Sequence, residues 1–112
     1  MTNSRLLQIE AMLEEEPEDR FLRYSLALEC EKEGQHARSL ELLEALTTDD
    51  EPYVPAFFMA GQQLARLSRI AEARGFLRDG IDAARRIGDS HAAGEMSEFL
   101  ASLGSERVAE DG

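Results

Sequence analysis

What constrains this chain most is its punctuation. Three prolines, Pro17, Pro52 and Pro55, and the glycines Gly34, Gly88 and Gly104 cut 112 residues into segments rich in Leu, Ala, Glu and Arg. Those residues favour helix, and nothing between the breaks alternates with the period of a strand. The first segment, 4–16, sets Leu6, Ile9 and Leu13 at helical spacing and stops before Pro17, since a residue preceding proline avoids the helical region. A second helix runs from Arg20 to Glu33 and ends at Gly34, and a third from His36 to Thr47 carries His36, Ser39, Leu40, Leu43 and Leu46 on one stripe. The fourth starts near Pro55, where a missing N–H costs nothing. The fifth aligns Ile70, Ala73, Leu77, Ile81 and Ala84, and the sixth, 90–103, aligns Ala92, Met96, Phe99 and Leu103, with a polar, flexible tail expected over 104–112. Short connections make sequential helices antiparallel neighbours, as a closed bundle or a stacked array.

Self-similarity separates these two arrangements. A shift of about 34 residues superposes the second and third helices on the fourth and fifth. Leu26 then meets Ala60, Ala27 meets Gly61, Cys30 meets Leu64, Ser39 meets Ala73, Leu43 meets Leu77, and the break at Gly34 falls on Ser68. The later copy reads Phe57-x2-Ala60-Gly61-x2-Leu64, then Ala73-x3-Leu77. In both spacing and period it resembles the tetratricopeptide repeat. The earlier copy, Arg23-x2-Leu26-Ala27-x2-Cys30 then Ser39-x3-Leu43, departs by placing Arg23 where the family has a large aromatic.

The resemblance implies an all-α fold of stacked helical hairpins, an α-solenoid, in one domain over 1–103. Repeats span 20–53 and 54–87, preceded by the 4–16 helix and closed by a capping helix, 90–103. Short bacterial proteins of this type have a similar length and layout. In the family the first helix of each pair lines a concave groove that receives a peptide or a partner's helix. With Arg23, Leu26, Ala27 and Cys30 turned inward, helical geometry puts Phe21, Tyr24 and Leu28 on the groove side, and Phe58, Met59 and Gln62 in the next repeat. The expected function is a non-enzymatic protein-interaction scaffold with an apolar groove. The alternative is a self-associating protein that forms a homodimer through the same patch. The N-terminal helix, through Leu6, Ile9 and Leu13, could also cover that patch.

Charge narrows the partners. Twelve Lys and Arg against 23 Asp and Glu give a net charge of -11, which repels nucleic acid and anionic membrane. Residues 1–52 carry a net of -9, 53–88 a net of +3, and 89–112 a net of -5. No segment approaches the length of a membrane span, Met1–Ile9 lacks a signal-peptide core, and one cysteine permits no internal disulfide, so the expected compartment is cytoplasmic.

Chemistry has little to work with. His36 and His91 stand far apart, and no phosphate loop, zinc-protease motif or nucleophile elbow occurs. The acidic runs Glu14–Asp19 and Asp49–Glu51 lack the spacing of a calcium loop and suit helix starts. Cys30 falls on a core position. The expectation is no enzyme activity, no cofactor and no metal.

Overall fold

A computed structural model describes the backbone of residues 3–111 and the side chains of residues 3–104. Six helices follow one another: α1 Ser4–Glu15, α2 Arg20–Lys32, α3 His36–Thr47, α4 Val54–Arg66, α5 Ile70–Arg86 and α6 Ser90–Asp111. No strand occurs among the described residues. The chain forms two compact units, Met1–Ala56 and Phe57–Gly112.

The helix ends are where the sequence punctuates them. Asn3, Asp19 and Asp89 cap three N-termini, their side-chain oxygens accepting the N–H of Leu6, Leu22 and Ala92 at 3.1, 2.8 and 3.0 Å. Three C-termini share one device. Gly34, Ser68 and Gly88 turn left-handed, with φ of 79°, 62° and 79°. The next residue's N–H then reaches back five positions: Gln35 to the Cys30 carbonyl, Arg69 to Leu64 and Asp89 to Ala84, at 2.9, 2.8 and 2.8 Å. The predicted superposition of Gly34 on Ser68 is therefore a superposition of backbone conformation. Between α3 and α4 the connection is longer, residues 48–53, and the Tyr53 N–H reaches the Leu46 carbonyl across it at 2.9 Å.

The last boundary corrects the expectation. The helix expected over 90–103 continues to Asp111, so Gly104 does not end it. A glycine inside a run of helix formers costs only about 1 kcal/mol, and it stops a helix only where the chain turns left-handed, as at Gly34 and Gly88. Side chains beyond Gly104 lie outside the described residues.

In the first unit α1 packs on α2 and α2 on α3. Leu6 and Ile9 of α1 join Leu26 and Cys30 of α2, with Leu13 and Leu42 against them. Leu43 and Leu46 are fully buried, each contributing roughly 2 kcal/mol over an exposed position. Where α2 and α3 approach, Ala27 and Ser39 are both fully buried and the Ser39 hydroxyl donates to the Ala27 carbonyl at 2.7 Å. Arg23 keeps its polarity by pairing with Asp49, Nη1 to Oδ2 at 3.0 Å and Nη2 to Oδ1 at 3.3 Å. The 34-residue shift sets Arg23 on Phe57, which is buried in the second repeat.

In the second unit α5 packs on α6. Gly61 gives α4 its close approach to α5, since a Cβ there would lie 2.8 Å from the Leu77 side chain. Gly80 does the same on the other side, where a Cβ would lie 2.5 Å from the Phe57 Cβ and 2.6 Å from the Met96 sulfur. The buried Arg74 donates from Nη2 to the Leu103 carbonyl at 3.0 Å, tying α5 to α6 at that turn.

Candidate functional site

The six residues expected to line a groove divide between the units: Phe21, Tyr24 and Leu28 on α2, and Phe58, Met59 and Gln62 on α4.

On α2, the inward set is buried as its spacing requires, with Ala27 and Cys30 inaccessible and Leu26 nearly so. Burial pushes the Cys30 thiol above its ordinary 9.0. Phe21 points the other way and is 66% exposed. It borders a concavity of about 480 Å³ with Met12 and Leu22 as apolar wall and Glu15, Glu16 and Asp19 as acidic rim. Tyr24 is half-buried and meets Tyr53 edge-on, ring centroids 5.4 Å apart, while the Arg20 guanidinium lies 5.0 Å from the Tyr53 ring centre. Burial first, and the Tyr53 phenol second, hold the Tyr24 hydroxyl above its ordinary 10.0. Leu28 is half-buried. The stripe of α1 is spent on Leu26 and Cys30, which leaves Phe21 open to solvent.

On α4, Phe58, Met59 and Gln62 are half-buried. Phe58 meets Phe99 of α6 with centroids 6.0 Å apart and planes tilted by 60°, a favourable aromatic arrangement. The pair floors a concavity of about 510 Å³, walled by His91, Glu95, Glu98 and Ser102. His91 Nε2 lies 3.6 Å from Glu95 Oε1.

Sequence reasoning placed Phe99 on the buried stripe of α6 and missed its partnership with Phe58. It also passed over Glu95, Glu98 and Met12. A signal existed: His91, Glu95, Glu98 and Ser102 recur every three to four residues and so share one face of α6 beside Phe99. Met12 lies outside the Leu6, Ile9 and Leu13 stripe, which marks it as exposed.

Among the described residues no three His, Cys, Asp or Glu side chains gather as metal ligands. His36 Nδ1 instead pairs with Glu31 Oε1 at 2.6 Å on the surface. No described helix is long and apolar enough to cross a membrane.

Solved structures resemble the chain. A tetratricopeptide repeat domain protein from Salinibacter ruber, determined in solution, is 33% identical over 78% of this chain and 88% of its own, with a TM-score of 0.73. A crystal structure of the tetratricopeptide repeat domain protein from the same organism is 32% identical over 79% of this chain and 98% of its own, with a TM-score of 0.71. A protein from Bordetella parapertussis is 27% identical over 98% of this chain and 96% of its own, with a TM-score of 0.82. No family model matches the sequence, and neither does any curated protein.

Proposed function

This chain belongs to the tetratricopeptide repeat family, and on that footing we propose that it is a non-enzymatic module that binds a peptide or partner helix. The fold generally mediates protein–protein interaction. The finer reading assigns contact to Phe21, Tyr24 and Leu28 on α2 and to Phe58, Met59 and Gln62 on α4. The observation that supports it is Phe21: a phenylalanine two-thirds exposed beside an open concavity contributes nothing to its own core and offers a partner an aromatic anchor.

Phe21→Ser and Phe58→Ser, made in the full chain, test the reading against partners recovered by affinity purification. Both variants are expected to lose the partner. Phe21→Ser should keep wild-type stability to within about 0.5 kcal/mol, because the ring is two-thirds exposed. Recovery of the same partner by both variants would remove the assignment. A stable homodimer in light scattering that Phe21→Ser dissolves would replace it with self-association.

A further inference from the structure

The concavity of the second unit has a chemistry of its own. It is lined by the Phe58–Phe99 pair, by Glu95 and Glu98 and by His91, and among the described residues no lysine or arginine lines it. Ring faces present negative charge density, and a cation over them is stabilised further by a carboxylate within reach. Arginine and lysine fit this combination because their apolar stems lie along aromatic surface while the charged head extends past it. Segment 89–112, which supplies the carboxylates, carries a net charge of -5. An acidic side chain would meet two glutamates here and lose on charge what it gained on contact.

We infer that this concavity is a subsite for an Arg or Lys side chain carried on a segment of the partner protein, with Phe58 and Phe99 holding the stem and Glu95 and Glu98 the charge. The inference rests on the interaction-module reading and specifies its partner as basic. Phe99, Glu95 and Glu98 thereby become contact residues alongside Phe58.

A phage-displayed library of random dodecapeptides panned on the full chain supplies the probe. Selected sequences are expected to be enriched in Arg or Lys next to an apolar residue. A synthetic peptide of the consensus should bind Glu95→Lys/Glu98→Lys about tenfold more weakly, since reversing two exposed charges turns attraction into repulsion. Both side chains are exposed, so the fold is expected to survive, as a melting curve checks. Glu41→Lys/Glu44→Lys on α3, both exposed and outside either concavity, changes net charge equally and should leave affinity within about twofold. Binders without basic residues, unchanged affinity in Glu95→Lys/Glu98→Lys, or equal weakening by both pairs would overturn the inference while the module reading stands. A library that yields no binder at all would remove the inference, and the affinity purification would then decide the module reading alone.

Discussion

Ser68 holds a backbone conformation that its Cβ resists, with φ at 62°, where Gly34 and Gly88 hold the equivalent position at 79°. An L-residue there costs about 1–2 kcal/mol, and glycine returns part of that to greater freedom in the unfolded chain. Ser68→Gly should therefore raise stability by roughly 0.5–1 kcal/mol, read as a higher midpoint in urea, and Gly34→Ala should lower it by about 1 kcal/mol. A fall in the Ser68→Gly midpoint would mean the hydroxyl matters more than the dihedral. Gly80 poses the opposite problem, since its φ is ordinary but its surroundings are full. A methyl would meet Phe57 Cβ, which belongs to a helix and has nowhere to go, as well as the Met96 sulfur, which can swing aside. Gly80→Ala is expected to cost about 1–3 kcal/mol, although alanine is the better helix former. No destabilisation on chemical unfolding would mean that α4, α5 and α6 can spread at no cost.

At the scale of elements, α1 is attached to α2 by apolar contact and by the carboxylates of Glu29 and Glu33, both reached by the Asn3 amide, with Glu29 the buried one. Glu29 is nearly buried and collects the Asn3 amide at 3.1 Å, Arg5 at 3.2 Å and Lys32 at 3.3 Å. The Asn3 hydrogen bond, outweighing the cost of burial, and then Lys32 and Arg5 hold its carboxyl below the ordinary 4.5. A depressed folded value means that the ionised form favours folding. This stabilisation is complete above 4.5 and is lost as pH falls through the lower folded value. Acid should accordingly free α1 first, seen as faster amide exchange at Leu6–Ile9 below pH 4.5, and Glu29→Gln should flatten that dependence. An unchanged pH profile in the variant would assign the acid sensitivity to other carboxylates. Helix starts and stops were legible because Pro17, Gly34 and Gly88 act through local backbone geometry. The end of α6 was not, because Gly104 is compatible with both helix and break, and its neighbours decide.

Over the whole molecule, the period of about 34 residues carried the family reading, because it orders small and large residues as the hairpins need them. The faces were legible only in part. Helical spacing identifies Phe21 and Phe58 as outward, yet it cannot say that Phe58 will meet Phe99, a pairing made by residues on different helices. Arg23 shows the same limit: its departure from the aromatic position is visible in sequence, while its compensation by Asp49 is visible only in three dimensions. The left-handed caps also bear on how the chain comes apart in the presence of a protease. Turns at Gly34, Ser68 and Gly88 are clamped by backbone hydrogen bonds on both sides of the bend, so a protease finds no slack there to draw into its cleft. Among the described connections 48–53 is the longest, and although Asp49 and Tyr53 are tied back, Thr48, Asp50 and Glu51 are exposed. Brief digestion with subtilisin should make its first cut between Thr48 and Glu51, and a first cut at any of the three clamped turns would mean they open more readily than their bonds imply.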